Sequence, residues 1–404
     1  MFVNESKLPH LLQPADYFSE QQFEAEKVLF LEGWHLIGTR DELRHSGDFL
    51  TSDLFGYPIQ VRNFDGQLIA VSNVCAHRHC LMTNEKRGSS EKMQCQYHGW
   101  EYGADGRTRK IPMPKNFAPH DRDVHRLQQY QVQSCGQLVF VSLHENATDL
   151  SDQFGDLFDE CAGRFGEGWE CKLNWNPDYT VNWKVPVENT LEAYHVPYIH
   201  AETFRDDPGE DRSTHILNER RTAFGTQLPF SPHSRLDNYF QSWDGWLVRR
   251  LGDDSTDEYW QHHVFPNLLF SFTDSISLVH CVQPTGPSTS RGIVRQFSRV
   301  GTKPGFRRWF ARRWAGLKSA ITKKIMLEDL ALFGDIQSGL QASNQAGVLG
   351  RCEERIHQFQ KYLIETVGDF VDSDRNETIE GTDGVNGNIN KSNSINSDKT
   401  TKSS

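Results

Sequence analysis

The sequence has no run of the ~18 consecutive apolar residues that a membrane-crossing helix needs, and it contains no internal repeat. It has no basic excess either. A formal charge of −11 at pH 7 argues against a nucleic-acid-binding surface, which ordinarily carries clustered Lys and Arg. Eight cysteines among 404 residues are too few for a disulfide scaffold. Cys80, Cys135, Cys161, Cys171, Cys281 and Cys352 show no paired spacing, so a reducing, cytoplasmic setting is expected. The opening MFVNESKLPHLLQP lacks the basic and apolar regions of a secretory leader. What is present, 37% apolar and 24% charged residues, fits a globular protein, and the length predicts two domains with appendages.

Residues 16–34 place Phe18, Phe23, Val28, Phe30 and Leu31 at helical intervals and predict one helix. From about Trp34 to Leu143 the pattern turns to short strands. YPIQVRNFDGQLIAVSN reads as a hairpin about Asp65-Gly66, a second turn falls at Asp105-Gly106, and QLVFVSL closes the all-β stretch. Helices and strands then mix. NATDLSDQFGDLFDECAGRF reads as helical, and HHVFPNLLFSFTDSISLVHCVQP as two strands joined at Thr273-Asp274. Helices are expected over about 305–342, broken at Gly316, and over about 350–368. From Asp372 the chain is polar and free of aromatics, the composition of a disordered tail. The expected division is a helical arm over 1–33, a β domain over 34–145, a mixed domain over 146–371 and the tail over 372–404.

Two metal-ligand constellations stand out. In CAHRHC and CQYHGW, Cys75 and His77 lie two apart and Cys95 and His98 three apart. Ligands separated by one residue diverge from an extended loop, which suits two adjacent irons better than one tetrahedral ion. Cys75 and Cys95 would hold one iron and His77 and His98 the other, and neutral imidazoles would raise the reduction potential. Gly99 and Gly103 would admit the backbone to the bridging sulfides, and Trp100 would shield them. A zinc knuckle is the competing reading, although such sites ordinarily open with Cys-x₂₋₄-Cys. His79 and Cys80 are read as supporting residues.

The second constellation is NWKVPVENTLEAYHVPYIH. Glu188, Glu192 and His195 would share a helix face. His200 would point ~140° from His195 on an unbroken helix, but Pro197 is expected to break the helix after His195 and let the imidazoles converge. Two histidines and a carboxylate form the facial triad of non-haem Fe(II) oxygenases. The distant segment TKKIMLEDLALFGDIQSGL offers Glu328, Asp329 and Asp335. Asp329 has Ile325, Leu332, Phe333 and Ile336 as helical neighbours, and a carboxylate facing apolar surface is costly unless it is paired or metal-bound. Asp329 is therefore the expected third ligand, with Asp335 and then Glu188 in reserve. Phe240, Trp243, Trp246, Tyr259 and Trp260 are candidates for an aromatic-lined substrate site or ordinary core. FRRWFARRWAGLKSAITKK is a basic, aromatic helix read as a docking face or a solvated surface.

CAHRHC followed by CQYHGW resembles the Rieske [2Fe–2S] motif, with His79 where many members carry Gly. NWKVPVENTLEAYHVPYIH and LEDLALFGDIQSGL resemble the iron-site segments of the Rieske non-haem iron oxygenase α subunits, and together the matches cover about 35–370. The resemblance implies an α+β chain: an all-β Rieske [2Fe–2S] domain followed by a helix-grip, START-like catalytic domain built on an antiparallel sheet. It also implies a homotrimer in which Glu192 bridges His98 of one subunit and His195 of the next. Such an enzyme is an O₂-dependent mono- or dioxygenase acting on a small organic substrate, holding a [2Fe–2S] cluster and Fe(II). Its electrons come from NAD(P)H through a flavin reductase, directly or by way of a ferredoxin. The alternative is a Rieske electron carrier fused to a ligand-binding domain without oxygenase activity.

Overall fold

The computed structural model describes residues 1–380 apart from Arg205, Pro232, His233 and Asp253. The chain is α+β. A seven-stranded antiparallel sheet runs in the order Trp34–Thr39, Leu138–Ser142, Gln129–Cys135, Gln67–Ser72, Tyr57–Phe64, Asp48–Leu54 and Arg87–Ser89. Its Tyr57–Phe64/Gln67–Ser72 hairpin turns at Asp65-Gly66, both at positive φ (52° and 91°), as a tight primed turn requires. A small three-stranded sheet, Met93–Gln94, Glu101–Tyr102 and Thr108–Lys110, stands beside it and turns at the expected Asp105-Gly106.

The second large sheet has eight antiparallel strands. Its main path is Trp169–Trp175, Thr289–Arg299, Ile276–Gly286, Leu268–Phe272, Glu258–Val264, Arg221–Gln227 and Ser213–Leu217, with Asp178–Tyr179 paired beside it. The segment expected to give two strands belongs to three, because the chain turns at Phe265-Pro266-Asn267. Proline has no N–H to continue a ladder.

The helix Phe306–Ala342 runs unbroken through Gly316. A mid-helix glycine costs only ~1 kcal/mol, and buried Ala311, Ala315, Ser319, Phe333 and Gln337 hold the helix down on both sides of it. The last helix, Glu354–Glu380, carries the chain past the expected start of the tail, so 372–380 is helical. Its buried residues Phe359 and Leu363 secure the earlier turns, and adding residues to a formed helix needs no new nucleus. The remainder of the expected tail, 381–404, lies outside the described residues.

The two large sheets share cores. Trp34–Thr39 and Leu138–Ser142 are buried at every position, which explains the unbroken apolar run in QLVFVSL. Ile37, Val139 and Val141 pack in one core with Trp183, Leu269 and Phe359. Trp34, Leu36, Leu138 and Phe140 pack in another with Phe270, Val279 and Phe297.

The N-terminal segment is a strap. In place of one helix over 16–34 there are three pieces, Pro14–Tyr17, Glu20–Glu26 and Val28–Leu31, since Ser19 adopts an extended conformation and caps Glu20–Glu26. The bend turns Glu26 inward. Its carboxylate accepts from Lys184 Nζ at 2.6 Å and Trp183 Nε1 at 2.8 Å, with both Glu26 and Lys184 side chains out of contact with water. Lys184 opens the helix Lys184–Thr190, which leads to the histidine segment.

Candidate metal centres

The CAHRHC and CQYHGW loops repeat one backbone pattern. Cys75 N donates to Cys80 O and Cys95 N to Trp100 O; His79 N donates to Cys75 O and Gly99 N to Cys95 O. At equivalent places, His79 (φ 57°) and Gly99 (φ 71°) take the left-handed conformation. The loop therefore keeps its geometry with His79 in a glycine-favoured position, at a cost of ~1 kcal/mol or slightly more. Gly103 has another role: a side chain there would collide with Arg109. Cys80 supplies the backbone carbonyl and His79 is exposed.

These loops set two buried thiols inward and two imidazoles outward. Cys75 and Cys95 are buried, and His98 is exposed. The His77 and His98 rings lie 4.7 Å apart, and Trp100 stacks on His77 at 4.7 Å, nearly parallel. Tyr102 OH lies 3.1 Å from Cys75 Sγ. Burial pushes the Cys75 thiol up and the Tyr102 contact partly counters it. Burial foremost, then His98 and Arg78, depress His77. His77 Nδ1 is buried without a hydrogen-bond partner, which leaves that nitrogen open to a metal. Among the described residues, these four do not converge on a single ion position. That separation disfavours a zinc knuckle and fits a ligand set divided between two irons.

The set that does converge is His195, His200 and Asp329, whose ligand atoms lie within 4.8 Å of one another. Its local construction differs from expectation. The helix Lys184–Thr190 ends before Glu192, so Glu188, Glu192 and His195 do not share a helix face. Pro197 is the second residue of the one-turn helix Val196–Ile199, with His195 as its N-cap and His200 as its C-cap. Proline suits that first turn because its missing N–H is not needed there. The break thus lies upstream of His195, and the histidines bracket a single turn.

Asp329 Oδ1 lies 3.0 Å from His200 Nε2 and 3.6 Å from His195 Nε2. It is nevertheless buried without a hydrogen-bond partner. Acceptors crowded together in this way fit a cation between them. Behind them, the outer ring nitrogens are held by carboxylates. Glu192 bonds His195 Nδ1 and, at 3.1 Å, its backbone N–H. Glu328 Oε2 lies 2.9 Å from His200 Nδ1 and 3.1 Å from Thr203 Oγ1. Burial opposes a proton on His200, but Asp329 and Glu328 outweigh it and raise the imidazole above its ordinary value. Glu328, offered by the sequence but passed over for Asp329, is the partner of His200 on its other side. Adjacent helix residues reach opposite sides of one imidazole here, Asp329 its Nε2 and Glu328 its Nδ1. Asp335 is exposed. Glu188 is engaged elsewhere, accepting from Tyr17 OH and Gln360 Nε2.

The triad forms part of the wall of a chamber of about 640 Å³. One face of the second sheet supplies the floor by strand alternation, with Leu269 and Ser271 on one strand and Ile276, Leu278 and His280 on the next. His280 was not singled out from the sequence, and the period-two pattern was the only signal for it. Burial holds it down to about 4 against the pull of Asp329, and it lies 3.1 Å from Tyr179 OH. Of the expected aromatic set, Phe240 and Tyr259 line the chamber, while Trp243 and Trp246 are partly exposed and Trp260 stacks towards His262 outside it. The basic helix segment is neither wholly solvated nor free: Trp314, Leu317 and Ile321 form chamber wall. Trp314 Nε1 and Lys318 Nζ each bond Asp244 at 2.9 Å.

Comparison with known proteins adds an independent line. Residues 33–133 match the Rieske [2Fe-2S] domain and residues 167–369 the ring hydroxylating alpha subunit (catalytic domain). The large subunit of anthranilate 1,2-dioxygenase from Acinetobacter baylyi is 26% identical over 376 residues, covering 86% of this chain and 72% of that one. The oxygenase subunit of carnitine monooxygenase from Escherichia coli K12 is 31% identical over 211 residues, 51% of this chain; the match covers 56% of that relative, little more than half its length. In fold, the chain resembles a crystal structure of the quaternary ammonium Rieske monooxygenase CntA with a bound inhibitor (TM-score 0.72, 21% identity, 89% of this chain and 99% of that one). No described helix is long and apolar enough to cross a membrane.

Proposed function

The chain belongs to the α subunits of the Rieske non-haem iron oxygenases, and from that premise we propose that His195, His200 and Asp329 hold its mononuclear iron and that Cys75, Cys95, His77 and His98 hold its [2Fe–2S] cluster. The observation that carries this reading is the meeting of two imidazole Nε2 atoms and one partnerless carboxylate oxygen on the wall of a chamber. When bound, the two centres supply single-electron storage and O₂ activation for oxygenation of a small organic substrate.

The protein's own residues do the rest. Glu192 and Glu328 fix the rings of His195 and His200 so that each Nε2 faces the same point. The apolar floor holds the substrate and excludes water. Tyr102 covers the Cys75 thiol of the cluster loops and Trp100 covers the His77 ring. The electrons come from NAD(P)H through a flavin reductase, with or without a ferredoxin, as befits the oxygenase component of a multicomponent system. In the proposed homotrimer, Glu192, which holds His195, would also accept from the exposed His98 of a neighbouring subunit and so would link the two ligand sets.

Metal analysis tests the assignment. The full chain is expected to carry three irons, and His195→Ala two, with the electron paramagnetic resonance signal of the reduced cluster intact. Loss of that signal in His195→Ala would overturn the division of ligands.

A further inference from the structure

Arg355 is fully buried in the wall of the same chamber. Its Nε donates to Thr222 Oγ1 at 3.2 Å and its Nη1 to Gln261 Oε1 at 2.6 Å, both neutral acceptors. Nη2 has no partner. Among the described residues, no carboxylate lies within ion-pair distance of it. The adjacent Glu354 is already committed: it accepts from Val3 N, Asn4 N and Asn4 Nδ2 and lies 3.0 Å from His215 Nδ1. Lys318, a partly buried cation of the same chamber, is satisfied by Asp244 and by Ser275 at 2.7 Å.

A buried guanidinium without a counter-charge is expensive to keep. Burial holds it down to about 9 despite the pull of Tyr259 and Glu354. Its surroundings otherwise suit a ligand: Tyr259 and Gln261 line the chamber beside it, and Tyr259 OH bonds Ser271 Oγ at 3.2 Å. Gln261 pairs with Ser271, and Leu269, two residues back along that strand, pairs with His280. Two strand spacings and two residues separate Gln261 from His280, roughly 12 Å of backbone. Gln261 holds the guanidinium and His280 lies near enough to Asp329 to feel its charge, so a small molecule lying across these strands has one end near the triad and the other near the arginine.

We propose that Arg355 is the anchor for a carboxylate on the substrate, so that this oxygenase acts on small organic acids held by their anionic end. Guanidinium and carboxylate match in charge and in planar geometry. The proposal rests on the oxygenase reading only in taking this chamber as the substrate site.

The test uses the iron-loaded full-length chain and two matched probe pairs, benzoate with benzamide and hexanoate with hexanamide, titrated calorimetrically at pH 7. At least one acid is expected to bind tenfold or more tighter than its amide. Arg355→Met should bring that ratio to about one, while Lys361→Met, at an exposed lysine of the same helix outside the chamber, should leave it. If Arg355→Met does not fold, Arg355→Lys decides: the ratio should fall but stay above one. Equal affinities in the wild type, binding of neither acid, or a ratio unchanged in the arginine variants would overturn the anchor. Iron content separates this from the broader reading. An acid-selective chain that holds no mononuclear iron would sink the oxygenase assignment and leave the anchor standing.

Discussion

Replacing Glu26 with alanine tests whether the strap supports the histidine segment. The substitution removes the acceptor of Lys184 Nζ (2.6 Å) and of Trp183 Nε1 (2.8 Å) at a site where the lysine side chain has no exposure to water. Removing one partner of a buried ion pair costs ~3–5 kcal/mol, and a stranded indole N–H adds ~1–3 kcal/mol. The ammonium keeps some compensation, because it lies over the Tyr17 ring at 5.3 Å and the Trp183 ring at 5.6 Å, contacts worth ~0.5–2 kcal/mol. The net expectation is a loss of about 4 kcal/mol, a large share of an ordinary domain's stability. At ~2–4 °C per kcal/mol for a domain of this size class, Tm should drop by roughly 8–16 °C. Differential scanning calorimetry of the iron-loaded protein reads the change. A double variant, Glu26→Leu with Lys184→Met, should recover most of it, since an apolar pair of similar volume often matches a buried ion pair. A drop of less than about 3 °C in Glu26→Ala, or a double variant as damaged as the single one, would refute this account of the strap.

Two further outcomes are expected. Glu328→Gln should weaken retention of the mononuclear iron about 10–100-fold, measured by chelator competition, because His200 loses the carboxylate that orients its ring; cluster content should not change. Acid should destabilise the fold in a defined window. His35 is held down to about 4, and His262 and His263 to about 3, in each case chiefly by burial, against roughly 6.5 when unfolded. The unfolded chain therefore binds more protons below pH ~6.5. The stabilising effect of keeping these rings neutral is complete above that value and is lost as pH falls towards 4 and below. Tm measured from pH 7.5 to 4.5 should decline, and a flat profile would contradict the neutral burial of these rings. Glu354, set at about 2 by hydrogen bonds from His215 and the Val3 and Asn4 backbone that outweigh its burial, keeps its stabilising effect above pH ~4.5 and loses it only below, outside this window.

The legibility of the sequence followed the range of the interactions. The cysteine and histidine loops and the turns at Asp65-Gly66 and Asp105-Gly106 are local, and their spacing carries their geometry. Asp329 could be singled out because a carboxylate among Ile325, Leu332, Phe333 and Ile336 is costly without a partner. Glu328 could not, since its reason for being there is His200, more than a hundred residues away. The same holds for Glu26, whose inward turn depends on Lys184, and for His280, one alternate position among many on a buried strand. Pro197 was rightly noticed but misplaced in effect: a proline ends a helix or begins one, and only the caps at His195 and His200 decide between them.

The strands Trp34–Thr39 and Leu138–Ser142 belong to both halves of the molecule, each contributing one side to either neighbouring interior. Such a seam is a weld. It ties the sheet that carries the Rieske-like half to the sheet that floors the chamber through common interiors, so a packing change on one side of the seam is felt on the other.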